Sequence, residues 1–365
     1  MNSLFSGKYK GKKVIVTGDT GFKGSWLTLW LKTMGAVVYG ISLKPESESS
    51  HINLLKINYE SICLDIREKD ELSSLIADIA PDLIFHLAAQ PLVRLSYEDP
   101  YNTFATNIMG TINVLDAART VGNLKGVIIV TSDKCYDNKE WFWGYRENEP
   151  MGGKDPYSAS KGCAELVTAA YRSSYFPILE FGKSHHTLIS SVRAGNVIGG
   201  GDWAKDRIVP DMIKAAVEDR PLLIRYPNAT RPWQHVLEPL SGYLCIGQKL
   251  LESEVKFADS WNFGPNLDSN VKVIDLVLLA RTYWKAVRYD IDTNIHRGEA
   301  NFLMLDSSKA INMLGWHSVW DFEQTVMHTI EWYKEYFVAG RLVSEIQLMK
   351  YVDEARKKMI KWAIS

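Results

Sequence analysis

Tyr157 and Lys161 stand four residues apart in the run D-P-Y-S-A-S-K. A helix opening at Pro156 puts both on one face. That pair suits removal of a proton from an alcohol. A tyrosine of ordinary pKa, about 10, is a poor base at neutral pH, and bringing it to about 7 takes about 4 kcal/mol of differential stabilisation. Positive charge beside the phenolate, beginning with a lysine one turn away, can supply much of that. The spacing alone is unspecific, because Tyr9 and Lys13 share it. The copy at 157–161 is set apart by an apolar run before it that ends in Thr131-Ser132 and would deliver a hydroxyl to the same place.

Ser132 opens a second constellation, Ser132-Asp133-Lys134, with a hydroxyl, a carboxyl and an amine in succession. A third lies near the N-terminus, in Thr17-Gly18-Asp19-Thr20-Gly21-Phe22-Lys23-Gly24. Glycines at 18, 21 and 24, between a strand-like run and a helix-like one, permit positive φ. They also let backbone N–H groups approach a pyrophosphate at the positive end of a helix. The expected ligand is a dinucleotide, so the chemistry expected at Tyr157 is hydride transfer. The end of the second strand-like run, Gly40-Ile41-Ser42-Leu43-Lys44, has no carboxylate for the ribose hydroxyls. These residues therefore leave NAD and NADP open, and Lys44 is either a 2′-phosphate partner or a solvated loop charge.

The elements that must position these groups are short apolar runs alternating with amphipathic ones. Strands are predicted at Val14 to Thr17, Val37 to Ser42, Ser61 to Asp65, Leu83 to Leu87, Val127 to Ser132 and Thr187 to Ala194. Helices are predicted over Phe22 to Met34, 69–79, 100–120, from Pro156 onward, and 321–337. Such alternation predicts an α/β fold, a doubly wound parallel sheet with a smaller C-terminal mixed α/β lobe. The division expected is a dinucleotide-binding Rossmann domain over 10–195, to which later segments return, a mainly substrate-binding lobe over 196–340, and a helical tail over 341–365.

The G-x-x-G-x-x-G turn, the Tyr/Lys pair and the preceding Ser resemble the extended short-chain dehydrogenase/reductases. That resemblance implies NAD as cofactor, with Gly18, Thr20, Gly21, Phe22, Lys23 and Gly24 around its phosphates. Asp65 and Ile66 match the positions that contact adenine, and Leu87, Ala88, Ala89 and Gln90 match the cofactor-lining loop. Within that family the nucleotide-sugar 4,6-dehydratases carry Thr-Asp-Glu where this chain has Ser132-Asp133-Lys134. There the hydroxyl orients the sugar, Asp protonates the departing C6 hydroxyl and Glu removes the C5 proton. The runs T-S-D-K-C-Y-D-N-K-E-W-F-W-G-Y-R-E-N-E-P-M-G-G, A-A-Q-P-L-V-R-L-S-Y, S-V-R-A-G-N-V-I-G-G-G-D-W-A-K-D-R and R-P-W-Q-H-V-L-E-P-L-S-G-Y resemble the branch that acts on CDP-glucose.

The reaction so implied is an internal redox cycle. C4 is oxidised, water leaves across C5–C6, and the hydride returns to C6. Arg231, with Asn196 and Arg207, matches the grip on the sugar-nucleotide diphosphate. A free lysine is neutral to only a few parts in about ten thousand at pH 7. Lys134 is thus either a base whose pKa is depressed or a cation that stabilises the enolate. The alternatives are a GDP-mannose or dTDP-glucose dehydratase, or a nucleotide-sugar 4-epimerase. The last would use Tyr157 and Lys161 without Asp133 or Lys134.

Bulk properties are compatible with this and exclude other classes. The 365 residues carry Lys+Arg 42 against Asp+Glu 43, so no basic excess supports nucleic-acid binding or a polybasic membrane surface. No apolar run reaches the length of a membrane span. Cys63, Cys135, Cys163 and Cys245 are scattered, as free thiols in a reducing cytoplasm would be. His185, His186 and His235 have no metal-ligand spacing, so no metal is expected. Of the aromatics crowding these loops, Trp141, Trp143, Trp203 and Trp233 are each expected to pack rather than to form a sugar platform. The family implies a homodimer or homotetramer.

Overall fold

Six short apolar runs become strands: β1 (Lys13–Thr17), β2 (Val37–Ser42), β3 (Glu60–Cys63), β4 (Leu83–His86), β5 (Gly126–Val130) and β6 (Leu188–Ala194). The computed structural model describes residues 1–45, 47–265, 269–292 and 302–364. Glu46, residues 266–268 and 293–301 of the expected substrate lobe, and Ser365 of the tail lie outside the described residues. A further strand, Ser260–Phe263, lies parallel to β6, so the chain after residue 195 is not a separate lobe throughout. The sheet order is Ser260–Phe263, β6, β5, β4, β1, β2, β3, and every pairing is parallel.

Strand order reverses between β1 and β4, and in such sheets the crevice at the carboxyl ends beside that reversal receives the ligand. Thr17 is in register with both Ile41 and His86 there. Every residue of β4, β5 and β6 is buried, as expected of central strands covered by helices on both faces. Alternate side chains feed two cores. Val14, Val16, Phe85, Ile128 and Val192 face one layer. Ile15, Ile84, Val127, Ile129 and Ile189 face the other.

Helices Phe22–Thr33 and Lys69–Ile79 form where the periodicity places them. The segment predicted as one helix over 100–120 is instead Pro100–Phe104, a π turn at Ala105–Met109, and Gly110–Ala118. Gly110 permits the close packing of this segment, since a Cβ there would stand 2.3 Å from Ile66 Cδ1. The tail forms helices Ser344–Lys357 and Lys361–Ile364. Trp362 stacks on Phe5, and its ring meets Trp30 of the first helix, so tail and N-terminus close one core together.

Glu238, in helix Leu237–Leu251, fastens that core from inside. Its carboxylate accepts the N–H groups of Val319 and Trp320 (3.0 and 2.8 Å) and the Tyr351 hydroxyl (2.8 Å). Burial nevertheless pushes its pKa up to about 7. The folded state then binds a proton more tightly than the unfolded one, so this contribution to stability is lost as pH rises from 4.5 to about 7. Glu238→Gln should flatten the pH dependence of the thermal midpoint across that window. An unchanged slope would show that Glu238 is ionised throughout.

Candidate active site

The glycine turn is built by contact as much as by dihedral angle. Gly18 has φ +74°, and a Cβ on it would stand 2.7 Å from the Ala88 nitrogen. A Cβ on Gly24 would stand 2.0 Å from the Gly18 oxygen. Gly21 precedes helix Phe22–Thr33 in extended conformation and supplies no side-chain cap. The first N–H groups of that helix, beginning at Phe22, therefore face the crevice without an intrahelical acceptor. Thr20 ties the turn to β2 through the Leu43 carbonyl (3.2 Å). A cradle that glycine alone permits, opening on unused helix N–H groups at the sheet's reversal point, fits a dinucleotide pyrophosphate.

Asp65 and Ile66 follow β3, but the Asp65 carboxylate is already held by Arg67 Nη2 at 2.6 Å. Leu87 N donates to Thr17 O (3.0 Å), and Ala88 N to Thr17 Oγ1 (3.2 Å), so this loop lies along the glycine turn. Ala89 and Gln90 continue it, and Asn107 fixes their position. Asn107 Oδ1 accepts from Gln90 N (2.8 Å), while its Nδ2 donates to Gln90 O (3.1 Å) and Ser160 Oγ (2.8 Å). Asn107 was not singled out from the sequence. It is buried in the π turn, a local distortion frequent at functional sites, and the signal in the sequence is only an Asn, a weak helix former, inside a segment predicted as helix.

Helix Pro156–Ser174 starts where Asp155 caps it, accepting from Ser158 N at 2.9 Å with Pro156 in the first turn. Tyr157 and Lys161 consequently share a buried face. Lys161 Nζ donates to the Val130 carbonyl (3.3 Å), which anchors it under the end of β5. Burial brings Lys161 down to about 8, with Glu165 acting against that fall. Burial pushes Tyr157 up to about 12, with the Ser132 hydroxyl pulling it back in part. Burial thus works against ionisation of Tyr157 in the protein alone. The duplicate spacing is unrelated to the site: Tyr9 is buried and donates to Leu244 O (2.6 Å).

Ser132 leaves β5 in extended conformation and caps the single turn Asp133–Cys135. Its hydroxyl donates to Asp133 Oδ1 (3.0 Å). Asp133 is buried, and burial raises its pKa, opposed by Lys134, the Ser132 hydrogen bond, Lys23 and Arg231. A buried carboxyl held above its ordinary range is suited to carry a proton. Gly195, after β6, leaves the room this carboxyl occupies, since a Cβ there would lie 3.0 Å from Asp133 Oδ2. Lys134 is half-buried, with Nζ 6.0 Å from the Tyr157 ring centroid.

Asn196 follows Gly195, and its carbonyl accepts from Gln234 N (3.2 Å). Arg207 pairs with Asp202 at 2.9 Å and lies within electrostatic reach of Tyr157. Arg231, in strand Thr230–Pro232, acts likewise on Asp133. The side chain of Lys23 also turns inward. Its Nζ lies 3.4 Å from Tyr243 Oη, and it interacts with Arg207, Asp133 and Lys161. Lys23, Lys134 and Arg231 act on Asp133, while Arg207 is paired with Asp202 and Lys161 with Glu165 one turn away; the cations gathered at this crevice fit a diphosphate-bearing substrate. Among the tryptophans named above, Trp203 packs against Trp332 and Tyr333, Trp233 is buried and donates to Val271 O, and Trp143 is exposed beside Trp141.

A model of the GDP-mannose 4,6 dehydratase family matches residues 15–329. The chain is 49% identical over 330 residues to the CDP-glucose 4,6-dehydratase of Salmonella typhimurium, covering 89% of this chain and 91% of that one. It is 25% identical to the dTDP-glucose 4,6-dehydratase of the same organism, over 88% and 92% of the two chains. Among solved structures, the epimerase Mth375 of Methanothermobacter thermautotrophicus superposes with TM-score 0.79 at 22% identity, over 92% of this chain and 97% of that one. A Bacillus anthracis dTDP-glucose 4,6-dehydratase in complex with NAD gives 0.72 at 20%, over 89% and 97%. With a family model spanning most of its length and a near relative matched almost end to end, the chain belongs to the GDP-mannose 4,6 dehydratase family.

Proposed function

We propose that this protein catalyses the NAD-dependent 4,6-dehydration of CDP-D-glucose to CDP-4-keto-6-deoxy-D-glucose, a hydro-lyase reaction of deoxysugar (O-antigen-type) biosynthesis. The observation that carries the reaction type is Asp133, a buried carboxyl bonded to Ser132, its pKa raised by burial within the field of Lys134, Lys23 and Arg231. A 4-epimerase has no use for a proton donor there. The choice of CDP-glucose rests on the 49% identical relative.

NAD, when bound, supplies a hydride acceptor and a positive ring next to Tyr157. Tyr157 takes the proton of the C4 hydroxyl, and Lys161 stabilises the phenolate left by that transfer. Ser132 orients the sugar through its hydroxyl. The ketone at C4 acidifies C5–H, Lys134 takes that proton while Asp133 gives its own to the leaving C6 hydroxyl, and a proton returns to C5 when C6 is reduced. Arg207 and Arg231, with Asn196, hold the diphosphate; a guanidinium can engage it through two parallel hydrogen bonds. Gly18, Thr20, Gly21, Phe22, Lys23 and Gly24 would hold the phosphates of the cofactor, Asp65 and Ile66 its adenine, and Leu87, Ala88, Ala89 and Gln90 would line the rest of it. No helix among the described residues is long and apolar enough to cross a membrane. The reading extends to a cytoplasmic homodimer or homotetramer. Tyr97, Tyr101, Met109 and Leu166, all exposed, offer apolar surface for association.

The test is incubation with CDP-glucose, dTDP-glucose, UDP-glucose and GDP-mannose, followed by alkali-induced absorbance of the 4-keto product. A signal confined to CDP-glucose is expected, and none with CDP-glucose would overturn the assignment. In the same assay Lys134→Met should slow exchange of the C5 hydrogen with deuterated solvent by about 100-fold, the lower range for general acid–base catalysis. Wild-type exchange in that variant would remove Lys134 from the C5 step.

A further inference from the structure

Glu165 stands one turn beyond Lys161 on helix Pro156–Ser174 and is 4% exposed. Its carboxylate accepts from Thr131 Oγ1 (2.5 Å), Ser191 Oγ (2.7 Å) and Arg193 Nη2 (2.7 Å). Arg193, equally buried, also donates to the Tyr136 hydroxyl (2.5 Å) and the Glu147 carbonyl (3.1 Å). The Tyr136 hydroxyl in turn donates to Asn262 Oδ1 (2.9 Å). One chain of bonds thus runs beneath the site, from the Tyr157 helix through the ends of β5 and β6 to strand Ser260–Phe263. A buried ion pair is a poor source of stability compared with apolar side chains of the same volume. Its partners here are telling: Thr131 immediately precedes Ser132, and Arg193 precedes by two residues the glycine that faces Asp133.

We infer that Glu165 is a positioning residue of the proposed reaction, holding Lys161 in its charged form and fastening the strand end that carries Ser132 to the helix that carries Tyr157. The inference rests on the function proposed above for what Lys161 does. The groups facing Lys161 from the packed elements are few. They are Glu165 on its own helix, Cys135 on the turn after β5, Lys23 on the first helix and His86 at the end of β4. Burial keeps the Cys135 thiol protonated and brings His86 down to about 3, so both are neutral near pH 7. Lys23 is a like charge. Of these groups, among the described residues, Glu165 alone brings negative charge. Burial pushes its carboxyl up, yet Arg193 with the Thr131 and Ser191 hydrogen bonds outweighs that and holds it below the usual range.

Glu165→Gln leaves Arg193 buried without a counter-charge, so it is paired with the double variant Glu165→Gln/Arg193→Gln, from which both charges are gone. Two quantities are followed against pH. One is turnover of CDP-glucose; the other is proton loss at Lys161, by carbon NMR of ε-labelled lysine with Lys161→Met as the assignment control. Both the alkaline limb of turnover and the Lys161 midpoint should move to lower pH by about one unit or more, the size expected for loss of an adjacent opposite charge. Glu165→Asp should restore part of the shift. A folded double variant with an unchanged Lys161 midpoint would overturn the inference. So would a double variant that does not fold, because Glu165 would then serve stability alone. If wild-type protein leaves CDP-glucose untouched the proposed function fails, while the lysine titration still decides the role of Glu165.

Discussion

Asp133→Asn is expected to lower formation of the 4-keto-6-deoxy product by about 10³-fold or more while leaving the first hydride transfer nearly intact, in line with loss of a general acid. The amide keeps the size of the side chain and can still accept from Ser132, so the arrangement of the strand end survives. What goes is the proton. In wild-type protein burial raises the pKa of Asp133, against Lys134, Lys23 and Arg231, all of which favour the carboxylate. Single-turnover absorbance should show reduced cofactor forming at the normal rate and then persisting, because C6 never becomes an acceptor. A variant that returns the cofactor to its oxidised form and releases product normally would move the acid elsewhere.

Tyr157→Phe should stop the reaction one step earlier. No reduced cofactor should accumulate, and turnover should fall by about 10³–10⁴-fold, the upper range for removal of an acid–base group. The phenol lies at about 12 in the protein alone, well above where it must titrate to act at neutral pH. Residual turnover in the phenylalanine variant should therefore lose the rise with pH that deprotonation of Tyr157 gives the wild type. Turnover within about tenfold of wild type would place the C4 base on another residue.

The main sheet was largely legible because its central strands are continuous β-branched or apolar runs such as Val127 to Val130, each closed by a polar turn. The Tyr/Lys pair was legible because Asp155-Pro156 marks the helix start, which fixes the face the pair shares. Strand Ser260–Phe263 was not, because S-W-N-F offers no period and lies far in sequence from its neighbour β6. The π turn at Ala105–Met109 has ordinary helical composition, and the loop across the site to which Asn107 bonds is distant in sequence. The electrostatics were only partly legible. Sequence placed Lys161 beside Tyr157, but burial raises the phenol nonetheless, and the inward turn of Lys23 depends on Tyr243, 220 residues away. The Glu165–Arg193 pair joins a helix to a strand, a contact no local spacing announces. Asp65 matched its family position by sequence, whereas its engagement by Arg67 emerged only from the fold.

Return of the hydride to C6 separates a 4,6-dehydratase from a 4-epimerase, which returns it to C4. Purified protein incubated with CDP-glucose carrying deuterium at C4 should yield a 4-keto-6-deoxy sugar with that deuterium at C6, read by mass spectrometry and NMR. Deuterium recovered at C4 of an epimerised sugar, or lost to solvent, would contradict the dehydratase assignment.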